Sequence, residues 1–167
     1  MAKCMVAIFI GFILLIVGCQ QETKDTNAAK TNVQTTLDTT KAKLAKLINL
    51  SVFKPVHVKY QYTFIDNSGQ NERLSVPGPS DNYLQAVLYF DTVTFDSLQK
   101  RYHTIEYTSP GYGYQEFDFD WLDATAKEEL HKSDTSYHGH RDYFFGLGPT
   151  GKLWFLNNKV LLMKSSN

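Results

Sequence analysis

The sequence predicts an α+β fold: a mainly antiparallel sheet of about five or six strands with two or three short helices packed on one side. Three observations lead there. Several stretches alternate apolar and polar residues with a period of two, the mark of a strand with one buried face. Several of the connections between them are turns of two to four residues, which join antiparallel neighbours but are too short for a parallel crossover. Other stretches space their apolar residues three and four apart, as a helix lying on a sheet requires.

Residues 38–50 (DTTKAKLAKLINL) read as the first helix. Asp38 or Thr39 caps its start. Leu44, Leu47 and Ile48 form an apolar stripe, with Lys41, Lys43 and Lys46 largely off it. Residues 56–65 (VHVKYQYTFI) alternate as a half-buried strand: Val56, Val58, Tyr60, Tyr62 and Phe64 share one face. Asp66-Asn67-Ser68-Gly69 supplies turn chemistry, and residues 73–76 return as a short strand. The prolines of residues 76–81 (VPGPSD) break regular structure.

Residues 83–90 (YLQAVLYF) are apolar on both faces, which predicts a central strand. A short helix follows over 94–102, with Phe95, Leu98 and Tyr102 inward. Residues 109–113 (SPGYG) are a loop, and 114–120 alternate again. Asp120 caps a helix running to Lys132, with Asp123 in its first turn, where the helix dipole favours negative charge. Residues 143–147, 152–156 and 159–163 read as three strands. Gly148-Pro149-Thr150-Gly151 turns the first pair and Asn157-Asn158 the second, since Asn tolerates the positive φ of a two-residue hairpin turn.

The chain begins differently. One positive charge, Lys3, precedes residues 5–17 (MVAIFIGFILLIV), which carry no polar side chain. At 13 residues the run falls short of the about 20 that a membrane-spanning helix needs, and it suits the apolar centre of a secretory signal peptide. It ends in Ile16-Val17-Gly18-Cys19. This segment resembles the lipobox of bacterial lipoproteins, and the resemblance covers residues 1–19 only. It implies that residues 1–18 are a cleaved signal peptide, that Gly18 lies at the cut, and that Cys19 becomes a first residue bearing diacylglycerol and an N-acyl lipid. Apart from these covalent lipids no cofactor is expected. Each buried CH₂ contributes roughly 0.8 kcal/mol, so two or three chains anchor stably where one binds marginally.

The implied location is the cell envelope, with the membrane as partner through the lipid. Gln20 in place of an aspartate after the cysteine implies the outer membrane in a Gram-negative cell, and otherwise the protein sits on the outer face of the cell membrane. Of the chain's two cysteines, cleavage would remove Cys4 and acylation would block Cys19, leaving no thiol or disulfide. Residues 19–36 read as a lipidated flexible tether. They are rich in Thr, Asn, Gln, Lys and Ala, with Val33 the only large aliphatic residue, too few apolar groups to offset the entropy of ordering. A flexible coil of this length spans about 20–25 Å on average. Residues 37–167 then make a single globular domain.

The charges balance, 17 Lys and Arg against 17 Asp and Glu, and the signal peptide holds only Lys3. A near-neutral chain lacks the basic footprint of nucleic-acid binding. The aromatic residues, 11 Phe, 10 Tyr and 2 Trp, suffice for a core with some left for the surface. The sharpest chemical candidate is a pair of period-two stripes. Glu116 and Asp118, with Asp120, oppose Phe117, Phe119 and Trp121, while His138, His140 and Asp142 share a face if that segment is extended.

Adjacent stripes of imidazoles and carboxylates would suit zinc or a similar ion. Against this, acidic residues opposite aromatic ones are what a half-solvated strand shows, and the spacings match no zinc signature. His131, near a helix end, is expected to face the C-terminal dipole. Tyr107, Tyr112 and Tyr114 form an aromatic loop that stacks on a sugar, covers an interface or simply packs. No G-x-S-x-G motif occurs. The favoured reading is a non-catalytic envelope lipoprotein whose domain binds an envelope protein or a glycan. The alternative is a metal-assisted hydrolase using His138, His140, Asp142, Glu116 and Asp118.

Overall fold

The computed structural model of the chain describes residues 32–67, 80–105, 112–133 and 139–166. Among them six strands form one sheet: β1 (Asn32–Asp38), β2 (His57–Asp66), β3 (Asp81–Tyr89), β4 (Gly139–Arg141), β5 (Lys152–Leu156) and β6 (Lys159–Ser165), in the spatial order β1-β2-β3-β6-β5-β4. Every neighbouring pair is antiparallel. Three helices accompany it, α1 (Lys41–Leu44), α2 (Thr92–His103) and α3 (Ala124–Lys132), with a 3₁₀ turn at Tyr114–Phe117. The α+β class and the antiparallel sheet agree with the sequence. Cys19 and Gly18, the start of the tether, the expected strand at 73–76, Tyr107 and His138 lie outside the described residues.

The helices pack on both faces of the sheet rather than on one. Leu84, Ala86 and Leu88 of β3, Leu153 and Phe155 of β5, and Val160 and Leu162 of β6 meet α1, α2 and residues 143–147 in one core. Val87, Trp154, Leu156 and Leu161 point the other way. They meet Phe117, Phe119 and Leu122, with Ala126 and Leu130 of α3, in a second core. The cause lies in the three central strands, which are apolar at consecutive positions and so need cover above and below. β2 alternates instead: Val58 and Tyr60 are buried on the first face, and β2 adds no buried residue to the second core.

Several elements differ from expectation. The strand β1 begins at Asn32, inside the stretch expected to be tether, because its seven residues, β-branched Val33, Thr35 and Thr36 among them, pair with residues 60–66 of β2. Only Lys41–Leu44 of the expected helix over 38–50 is helical. Asp38 acts before that helix, accepting from the backbone N–H of Thr39 at 2.7 Å and Thr40 at 2.8 Å and from Lys43 Nζ at 2.7 Å. This support lowers the Asp38 pKa. In α2, Phe95, Leu98 and Tyr102 are buried as expected, behind a cap from Asp91 to Thr94 N–H at 2.9 Å.

Residues 114–120 are not a strand. Phe117 and Phe119 are buried and Glu116, Asp118 and Asp120 exposed, so the alternation is one of burial. The backbone bonds locally, Glu116 N–H to Gly113 O and Leu122 N–H to Phe119 O, and lays its aromatic side chains across the sheet. Asp123, not Asp120, caps α3, through Ala126 N–H at 2.8 Å. Residues 143–147 turn around Asp142 and form no ladder, and the edge strand is β4 before them. The β5–β6 hairpin is as expected, with Asn158 at φ 53° in its two-residue turn.

Candidate functional site

The three candidate carboxylates, Asp142, Glu116 and Asp118, take separate partners. The Asp142 carboxylate accepts from the backbone N–H groups of Phe144 at 2.8 Å, Phe145 at 2.7 Å and Leu147 at 2.6 Å, a cradle that folds residues 143–147 over the first core. Glu116 pairs with Lys152. Asp118 accepts from His131 Nε2 at 2.8 Å and lies 3.6 Å from Lys127 Nζ. The His131 hydrogen bond is the largest of the causes that hold its pKa below the ordinary carboxylate value. His140 stands in β4 opposite Leu153. Among the described residues no three His, Cys, Asp or Glu converge as a metal set.

The aromatic loop residues that are described pack inward. Tyr112 and Tyr114 are half-buried against the second core. The Tyr112 hydroxyl donates to Leu153 O at 3.3 Å, and Lys152 Nζ sits 5.2 Å from its ring centre. The Tyr114 ring lies 5.6 Å from the His131 ring. His131 thus pairs with a side chain, Asp118, rather than serving only the helix end.

The structure offers a site the sequence did not suggest. An open cavity of about 490 Å³ lies where the first half of α2, the end of α3 and the β5–β6 turn meet. Buried Phe95, Phe155 and Leu156 contribute its floor. Asp96 and Gln99 of α2, Lys132 of α3, and Asn157 and Asn158 of the turn line its polar rim.

Two further lining residues, Glu129 and Ser133, brace the walls. Glu129 accepts from Lys159 Nζ at 2.6 Å and from the backbone N–H of Asn157, which ties α3 to the turn. The Ser133 hydroxyl donates to Leu130 O at 2.6 Å and accepts the indole N–H of buried Trp154 at 2.8 Å, fixing the end of α3 to β5. The volume falls within the range of small-ligand sites, and an apolar floor under a few polar groups is their usual lining. Carboxylate, amide and ammonium groups together suit a polar ligand of low net charge, such as a sugar or a peptide segment. The signal was hidden because the cavity forms only when helices from opposite faces of the sheet reach the same turn.

No protein-family model, no curated protein and no solved structure matches the chain.

Proposed function

We propose that the chain is a lipid-anchored protein of the bacterial cell envelope, held by acylated Cys19, whose folded domain works by binding an envelope protein or a glycan rather than by catalysis. The observation that carries the reading is the order of features in residues 1–19: Lys3, 13 apolar residues, Gly18 and Cys19. No helix among the described residues is long and apolar enough to cross a membrane. Support for binding comes from the braced cavity at the β5–β6 turn. Glu116, Asp118 and Asp142, the carboxylates that a metal-assisted hydrolase would use, are each engaged elsewhere.

Two measurements test the reading. Cys19→Ala is expected to move the protein out of the membrane fraction or to leave an unprocessed precursor, and the intact mass of the wild type should show loss of residues 1–18 with added acyl mass. A wild-type polypeptide that retains Met1 without acylation overturns the anchor. For the cavity, immobilised full chain is expected to retain an envelope protein or glycan fragment from solubilised envelopes, and Asp96→Arg, a change at an exposed rim position, should abolish that retention. Retention unaffected by Asp96→Arg removes the cavity from the reading.

A further inference from the structure

We infer that β1 is a self-pairing edge, through which two copies of this chain join their sheets across a two-fold axis at Thr35. β1 is seven residues long and forms one border of the sheet. One side bonds β2, and among the described residues nothing pairs with the other. Six of its seven residues are exposed, Val33 at 56% and Leu37 at 53%. Edge strands are commonly protected by inward charges, prolines, bulges or brevity. β1 has no proline, glycine or lysine, and its one charge, Asp38, is already engaged by Lys43.

The sequence NVQTTLD complements itself when reversed. With the axis at Thr35, the antiparallel register places Val33 against Leu37 of the second copy, Gln34 against Thr36, Asn32 against Asp38, and Thr35 against Thr35. Apolar faces apolar, hydroxyl faces hydroxyl, and no like charges meet, which are the pairings that stabilise antiparallel strands. This is also the register of full overlap, and it creates one self-complementary contact of the kind a two-fold dimer requires. Both Val33–Leu37 pairs fall on the sheet face that carries Ile65 and the 44%-exposed Tyr83. The two apolar strips therefore merge into one.

The test uses the full chain in detergent and does not rest on the lipid anchor, so its failure leaves the Cys19 experiment intact. Sedimentation should give twice the monomer mass for the wild type. Thr35→Lys and Thr35→Glu, each placing like charges in opposition on the axis, should each raise the dimer dissociation constant about tenfold or more. Mixing the two variants should restore the dimer through a Lys–Glu pair. As a check independent of mutant folding, in a chain with Cys4 and Cys19 both replaced by Ala, Thr35→Cys should form a dimer cross-linked by a bis-maleimide, while Val93→Cys on exposed α2 should not. A monomeric wild type overturns the inference, including the case where the edge is filled by residues 1–31 or by another protein's strand. So does a Thr35→Lys chain that still dimerises, or a mixture that stays monomeric.

Discussion

Asp142 illustrates how a carboxylate read as a metal ligand can be consumed by the backbone. Three N–H groups converge on it, and each would otherwise be short of a partner beside buried Phe144, Phe145 and Leu147. Hydrogen bonds to a charged group contribute more than neutral ones, and removing the acceptor leaves the donors unsatisfied. Asp142→Ala is expected to destabilise the fold by about 2–3 kcal/mol, measured by urea denaturation, and to detach Asn49, whose N–H bonds Phe145 O at 2.6 Å. An unchanged midpoint would show the turn to be held by packing alone. A period-two stripe shows which side chains share a face only if the segment is extended. Around Asp142 the chain turns, and that depends on the carboxylate's own bonds.

At the scale of elements, α3 shows what a cap does beyond the helix it starts. Asp123 accepts from Ala126 N–H, and its other oxygen accepts from the Tyr89 hydroxyl of β3 at 3.3 Å. Burial, and then the Asp123 charge and hydrogen bond, push the Tyr89 pKa up to about 12. The folded state thus holds this proton more tightly than the unfolded chain does. The stability it contributes is complete below pH 10, the ordinary tyrosine value, and is lost as pH rises toward 12. Asp123→Ala should cost about 1 kcal/mol at neutral pH. In an ultraviolet titration it should also lower the Tyr89 pKa while leaving it above the ordinary value, because burial is the larger cause.

β2, β3, β5, β6 and α2 were legible within one or two residues, because each carries its own period and its own turn or cap signals. Residues 38–50 kept their apolar stripe but only one turn of helix, which starts later than expected because Asp38 is drawn into β1 and accepts from Thr39 and Thr40 N–H ahead of the helix. The strand β1 itself was obscured by polar composition: its stability comes from pairing with β2, which local sequence does not encode.

At the scale of the whole molecule, the sheet is covered on both faces at its centre and unevenly at its borders. That two-sided cover was readable in principle from Leu153-Trp154-Phe155-Leu156 and Val160-Leu161-Leu162, where neighbouring residues are all buried. The same even burial also conceals which helix takes which face, a matter of chain path rather than residue type. The cavity was invisible for a related reason, as its walls come from segments over 60 residues apart, from Thr92 to Asn158. The proposed anchor differs: it rests on a short linear signal in residues 1–19, and no folded structure is needed to read it.

The place of β1 at the sheet border has a mechanical consequence. Tension applied at Asn32 would act on the end of a border strand whose bonds to β2 would open singly, like a zip. Peeling would run to Asp38, where the carboxylate clasps Thr39, Thr40 and Lys43 and Leu44 is sunk in the core. The seven residues of β1 span about 23 Å when extended, so a pulled molecule would yield that length before its core bore the load.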